Sequence, residues 1–474
     1  MTETLNVDIC VIGAGSGGLS VAAGAAQLGA RTVLIEKHRM GGDCLNTGCV
    51  PSKALLAAGH AAQRIGRAPD FGVHTAPPRI DGPGVFAHVA KTIAGIAPMD
   101  STERFEGLGV QVIQAKGEFT GPGTVVAGNT TIRARRFVIA TGSRAFVPPI
   151  PGIDTVTYHT NETIFSSADL PDHLIVIGGG PIGVELAQAH RHLGTRVSLL
   201  EQFAILPKDD PELVDVVRNR LVSDGIDLFE STKVISVEQL ASGIQVTIER
   251  NGEAHVIIGS DLLVATGRAA NVDGLGLELA NVRYSKRGVD VDSRLRTSNK
   301  KVYAIGDVAG GYQFTHVAGY HAGIVISNAL FRWPAKACHK TVPWVTYSAP
   351  ELAHVGVTEK QAREAHDSIR ILRWPFHEND RARTERCTDG LIKVVATSRG
   401  KILGCSIVGP SAGELIQPWV LAMSQNLKIG AIAKMIAPYP TLGEISKRVA
   451  GSFYTPTLFG ERTRKIVRFL AHFG

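Results

Sequence analysis

A chain of 474 residues is too long for one hydrophobic core, and domains of roughly 100 to 200 residues divide it into about three. With 44% hydrophobic and 20% charged residues and no uninterrupted apolar run of about 18 residues, it is a soluble globular protein with no membrane-spanning segment. The net charge of +7 comes from basic residues spread along the chain, without an aromatic-interleaved basic stripe, which argues against nucleic acid and leaves the charge as a source of solubility.

The opening "MTETLNVDICVIGAG" lacks a basic n-region, and its short apolar stretch runs straight into glycines. It reads as a first strand, not a secretory signal, and the protein is expected in the cytoplasm. Gly13, Gly15 and Gly18 follow in a G-x-G-x-x-G pattern, then a helix rich in Ala and Leu, then a strand ending on Glu36. The same order returns in "DHLIVIGGGPIGVELAQAHRHLGTRVSLLEQ", where Gly178, Gly180, Gly183 and Glu201 match the first copy at a constant offset of 165. The first glycine turns the chain tightly, the second lets backbone approach a pyrophosphate, and the third lets helix pack close to strand. The helix N-terminus offers unpaired N–H groups to the phosphates, and the acid closing the second strand accepts from a ribose 2′-OH. One such pattern in a chain with 52 glycines is weak evidence, but two copies with strand, helix and acid in register predict two dinucleotide sites. A flavin and an exchangeable nicotinamide are the pair this calls for. Glu201 suits an unmodified ribose and repels a 2′-phosphate, and no arginine follows it until Arg218, so NAD is expected over NADP.

Between the copies lies "MGGDCLNTGCVPSKALL", with Cys44 and Cys49 five apart in a chain of only six cysteines. In a regular helix five residues rise about 7.5 Å and turn the side chain by roughly 140°, beyond what a disulfide tolerates. A bridged pair therefore needs an irregular turn, for which Gly48 and Pro51 are suited. Zinc would need two more ligands nearby, no metal site is expected, and a purely structural bridge is out of place in the cytoplasm. A redox-active pair is the reading that remains. Cys10, Cys338, Cys387 and Cys405 are scattered singly and form no secreted framework.

Taken with "VIATGSR", "LLVATGR" and "VYAIGDV", these motifs resemble the flavin-dependent pyridine nucleotide–disulfide oxidoreductases, the family of dihydrolipoamide dehydrogenase, glutathione reductase and mercuric reductase. The likeness runs from about residue 6 to about residue 450. It implies an α/β fold with two Rossmann-like domains, for FAD and NAD, and a C-terminal α+β dimerisation domain. The expected segments are 1–150 and 271–340 for FAD, 151–270 for NAD and 341–474 for the interface, with "VPPIPG" and "TVPWVTYSAPELAHVG" marking crossings. By the same resemblance Cys49 is the charge-transfer cysteine beside the flavin and Cys44 the thiol that meets substrate. Lys53 matches the lysine near flavin N5, paired with Glu185. Asp307 matches the ligand of the ribityl chain, Thr141 and Gly142 an FAD-contacting turn, Gly267 the corresponding turn of the second copy, and His316 a position near the flavin. The implied path is NADH to FAD to the Cys44–Cys49 disulfide to a small thiol/disulfide or lipoyl substrate, or the reverse, in a homodimer whose active site is shared between subunits.

One stretch departs from that family. Its disulfide-reducing members use a histidine in H-P-T-x-x-E as base, contributed by the partner subunit. Here the stretch is "PYPTLGE", with Tyr439 in the histidine's place and Glu444 at its expected offset. A phenol titrates near 10 against about 6.5 for imidazole, so Tyr439 is a weak base at neutral pH. Tyrosine here is similar to mercuric reductase, yet no cysteine follows Cys405 to deliver metal inward. Reduction of a metal ion or quinone stands as the alternative, and a non-catalytic flavin sensor or lipoyl-partner binding module as a third reading. In the tail "GERTRKIVRFLAHFG", Ile466, Phe469, Leu470 and Phe473 share a helical face, with Arg462, Arg464, Lys465 and Arg468 largely off it. That face is expected to pack on its own subunit, ahead of a membrane or partner contact.

Overall fold

The structure, a computed structural model, describes residues 3–473. β1 (Glu3–Ile12) pairs in parallel with β2 (Thr32–Glu36), from Ile9 opposite Thr32 to Ile12 opposite Ile35, and α1 (Ser16–Gln27) connects them. Every residue of β2 is buried, as expected for an apolar strand of a parallel sheet covered on both faces. β3 (Val110–Gln114) flanks β2, and strand Thr130–Ile139 pairs in parallel with the other side of β1. The N-terminal half of Thr130–Ile139 also pairs with Thr124–Ala127, and its C-terminal half with Val302–Ala304. The chain thus leaves this sheet after Ile139 and rejoins it at Val302, and the second glycine-rich copy occupies the interval.

Alternation along β1 divides the core. Ile9 and Val11 pack with Leu34 and Val138 on the side of α1, while Cys10 and Ile12 pack with Val33, Ile35, Phe119 and Phe137 on the other. Cys10 is therefore a core residue, its thiol pushed far up by burial. Each such fully buried aliphatic side chain contributes about 1.5–3 kcal/mol over exposure.

The second copy repeats the plan. Strands Arg196–Leu200 and Asp261–Val264 flank His173–Ile177 in parallel, helix Pro181–His192 follows the glycine loop, and an antiparallel meander Thr232–Leu240, Gly243–Arg250, Glu253–Gly259 is inserted before the last strand. Both α/β sheets belong to a unit made of the chain up to Gln202 together with Ser231–Cys338.

The second unit joins Phe203–Glu230 to the chain from His339 onward. Its five-stranded antiparallel sheet runs in the order Pro343–Thr346, Glu351–Gly356, Ile402–Gly409, Leu391–Thr397, Ile369–Pro375. Trp419 is fully buried against it, its Nε1 donating to Ser446 Oγ at 3.1 Å. Residues 203–230 lie inside the 151–270 stretch of the sequence, yet they group here, with Leu213, Val214, Val217 and Leu221 of helix Pro211–Ser223 buried and a charge cluster beside them. Lys393 Nζ, almost wholly buried, lies 2.7 Å from Asp210, 2.8 Å from Glu212 and 2.7 Å from Glu359, and Arg373 also pairs with Glu212.

The tail departs from expectation. Helix Glu461–Leu470 forms, but no residue of it is buried, and Ile466, Phe469 and Leu470 are 57%, 63% and 57% exposed. Its apolar face does not pack on its own subunit. Phe453 is the last buried residue among those described, so the core closes before this helix begins.

Candidate active site

The cysteine pair straddles a break between two helices. Cys44 sits in α2 (Gly42–Asn46), and Cys49 is the first residue of α3 (Cys49–Arg67), with Thr47 and Gly48 as the non-helical junction. Gly48 has no room for a side chain, since a Cβ there would lie 2.9 Å from Asp43 O. Pro51 falls in the first turn of α3, where its missing N–H costs no intrahelical bond. The irregular turn that the spacing demands is thus built from the residues that suit it. The two sulfurs are not bridged to each other.

The two thiols differ sharply. The hydrogen bond from Cys44 does most to bring the Cys49 thiol down to about 6, with help from Thr315 Oγ1 at 3.5 Å and the Lys53 cation, against burial and the Asp43 carboxylate. Its place at a helix N-terminus acts in the same direction. Cys44 is pushed strongly up, first by the same bond to Cys49, then by burial and by the negative charges of Cys49 and Asp43. The shared hydrogen bond thus favours the proton on Cys44 and the negative charge on Cys49.

Lys53, one helical turn beyond Cys49, donates from Nζ to Glu185 Oε2 at 2.7 Å. Glu185 comes from helix Pro181–His192 of the second copy and is buried, while Lys53 is about one-third exposed. The structure therefore joins Cys44, Cys49, Lys53 and Glu185 in one place.

Besides Thr315, several participants were not singled out as site residues by the sequence. Asp43, next to Cys44, accepts from Thr47 Oγ1 at 2.9 Å and Asn161 Nδ2 at 3.2 Å, and pairs with Arg268 at 3.1 Å. Arg268 Nε donates to Ser143 Oγ at 2.7 Å, and Ser143 Oγ donates to Asp307 Oδ2 at 2.5 Å. A continuous polar chain thus links the Cys44 helix to Asp307, whose carboxyl is raised by burial. Asn271 clamps the Thr141–Gly142 turn, accepting from Thr141 Oγ1 through its carbonyl at 2.8 Å and donating from Nδ2 to Thr141 O at 2.9 Å. Gly267 holds a neighbouring turn, accepting from Phe146 N at 3.0 Å. His316 is exposed and stacks on Phe314 with ring centroids 5.3 Å apart. The more buried histidine is His321, whose Nδ1 accepts from Gly306 N.

The two glycine loops form matching cradles. A Cβ on Gly18 would collide with Gly13 O, and one on Gly183 with Gly178 O, so only glycine permits these close packings. Gly15 and Gly180 instead face open space and cap helices whose first turns hold no acid and receive no side-chain cap. Glu36 accepts from Ala14 N at 2.7 Å, and Glu201 from Gly179 N at 2.6 Å, the equivalent bond in each copy. Bare helix N-termini, open glycine backbone and a carboxylate at the strand end fit a dinucleotide in each copy.

Tyr439 and Glu444 belong to the other unit. Tyr439 is 67% exposed and donates from its hydroxyl to Asp380 Oδ2 at 3.1 Å, and that carboxylate pushes the phenol further up. Glu444 opens helix Glu444–Ser452 and pairs with Arg448 at 2.8 Å.

Residues 7–322 match the pyridine nucleotide-disulphide oxidoreductase family, and residues 342–450 match the dimerisation domain of that family. The chain belongs to it. Similar proteins include a mercuric reductase of Bacillus cereus, 35% identical over 92% of this chain and 70% of the relative. A dihydrolipoyl dehydrogenase of Thermus scotoductus is 36% identical over 92% of this chain and 95% of its own. The HOCl-induced flavoprotein disulfide reductase RclA from Escherichia coli superposes with a TM-score of 0.83 at 28% identity, covering 94% of this chain and 99% of that one. The protein is accordingly a flavin-dependent NAD(P)H:disulfide oxidoreductase that uses FAD and carries a dimerisation domain for a homodimer. Among the described residues no helix is long and apolar enough to cross a membrane.

Proposed function

We propose that this flavoenzyme is a cytoplasmic, NADH-preferring reductase of a small disulfide of the lipoyl type, acting through Cys44 and Cys49, and that it does so slowly for want of a base. FAD, held at the Gly13, Gly15 and Gly18 loop and Glu36, would supply the route by which an electron pair from NADH reaches the Cys44–Cys49 disulfide. Lys53, held by Glu185, then stabilises the Cys49 thiolate. Cys44, once deprotonated, attacks one sulfur of the acceptor disulfide, forms a mixed disulfide and expels the other sulfur as a thiolate that takes up a proton. Cys49 attacks the Cys44 sulfur, restores the internal disulfide and releases the second thiolate.

The observation that carries the reading is geometric: Cys49 heads a helix one turn from the Lys53–Glu185 ion pair, which favours the charge on Cys49 and leaves the proton on Cys44. That proton must leave before Cys44 can act, and Tyr439, itself raised by Asp380, is a poor acceptor for it. Glu201, bonded to its glycine loop, supports NADH over NADPH, and Arg218, the next arginine, is committed to Glu230 at 2.6 Å.

A second reading, reduction of mercuric ion, is favoured by Tyr439 alone, because a metal acceptor requires no proton transfer from that position. Steady-state rates with lipoamide, glutathione disulfide and Hg²⁺ against NADH and NADPH test both. The proposal requires NADH-driven lipoamide reduction that Cys44→Ser abolishes. Turnover with Hg²⁺ but not with any disulfide would replace it, and a higher kcat/KM for NADPH would refute the role given to Glu201.

A further inference from the structure

The helix Glu461–Leu470 begins beyond residue 450, where the match to the dimerisation domain ends. Ile466, Phe469, Leu470 and Phe473 stand at i, i+3, i+4 and i+7 and share one face, and Phe469 and Phe473 meet edge to face at 5.2 Å. All four are exposed, Phe473 by 73%, and Leu458 and Phe459 just ahead are exposed as well. Arg464 and Arg468 lie away from that face, Lys465 borders it beside Phe469, and Arg462 sits at its N-terminal end. From Phe453 to Phe473 the only acid is Glu461.

An apolar face by itself would suit a second copy of the chain, but such a contact gives no reason for a cationic back. Nucleic acid would use the cations and leave the phenylalanines in water. Both halves are used together by a helix lying in the headgroup region of an anionic bilayer, where apolar side chains enter the acyl boundary and long arginine and lysine side chains reach back to phosphates. We propose that Glu461–Leu470 is a membrane-surface anchor that seats its Ile466, Phe469, Leu470 and Phe473 face in an anionic lipid leaflet, making the enzyme peripheral.

The test is flotation of the FAD-loaded full-length protein with vesicles of phosphatidylglycerol and phosphatidylcholine, compared with phosphatidylcholine alone. The wild type is expected to float with the anionic vesicles at low salt and to be released at high salt. Arg464→Gln/Lys465→Gln/Arg468→Gln should weaken binding by on the order of a hundredfold, since each cation near the surface is worth about a factor of five. Phe469→Asp/Leu470→Asp should abolish it, with flavin absorbance and NADH oxidation retained in both variants. Failure of the wild type to float with anionic vesicles at low salt overturns the proposal. So does dissociation of the dimer by Phe469→Asp/Leu470→Asp, which would assign the face to a second copy.

Discussion

Replacing Lys53 by Met should raise the Cys49 pKa by about one unit, and the size of the effect follows from the geometry. Lys53 is one helical turn from Cys49, so the two side chains are neighbours at about 6 Å. At an effective dielectric of about 20 a unit charge at that distance is worth nearly 3 kcal/mol. Because Lys53 is about one-third exposed and shares its charge with Glu185 at 2.7 Å, roughly half of this is lost to screening. The remaining ~1.4 kcal/mol is about one pKa unit. A cation lowers the pKa of a thiol, so its removal moves the midpoint up, from about 6 towards 7. The assay is an anaerobic pH titration of the two-electron-reduced holoenzyme, following the long-wavelength thiolate-to-flavin absorption. Lys53→Arg should leave the midpoint near that of the wild type, and Glu185→Gln should shift it slightly down. An unchanged midpoint in Lys53→Met would refute the claim that this cation holds the thiolate.

Tyr439→His restores a group that titrates near neutrality and should raise kcat for lipoamide by at least tenfold, within the hundred- to ten-thousandfold range of general acid–base catalysis. No gain would mean that loss of the base does not limit turnover. Arg268→Met removes the bridge between Asp43 and the Ser143–Asp307 pair, and should speed FAD release at least tenfold in a fluorescence dissociation assay. Arg268→Lys should rescue little, because an ammonium cannot reproduce the guanidinium fork. Lys393→Met leaves Asp210, Glu212 and Glu359 without their shared buried cation and should cost about 3–5 kcal/mol in urea unfolding of the C-terminal unit. A loss below about 1 kcal/mol would show that Arg373 alone satisfies the cluster.

Some of these groups are visible in the sequence because the constraint on them is local. The glycines of the two loops leave a mark since any Cβ at Gly18 or Gly183 would strike backbone a few residues away. The break between Cys44 and Cys49 is visible in Gly48 and Pro51 for the same reason. The family likeness placed Glu185 opposite Lys53, although the partners are 132 positions apart. No local rule could have paired them.

Asp43, Arg268, Asn271 and Thr315 left no comparable trace. Each acts through a hydrogen bond to a residue distant in the chain, and an aspartate, arginine, asparagine or threonine on a loop reads equally well as solvated. Lys393 is a lone charge in an otherwise apolar strand, and it is buried because three carboxylates from two separate segments converge on it.

What the sequence determined by itself was periodicity and residue-type constraint: two nucleotide cradles, a cysteine pair across a helix break, and an amphipathic tail. Only the tertiary structure decided which carboxylate meets which cation, that residues 203–230 group with the C-terminal unit, and that the tail's apolar face is not covered by its own chain. The physical reason is that a short-range steric demand is written into neighbouring residues. Burial and charge pairing depend instead on which surfaces the rest of the chain leaves free.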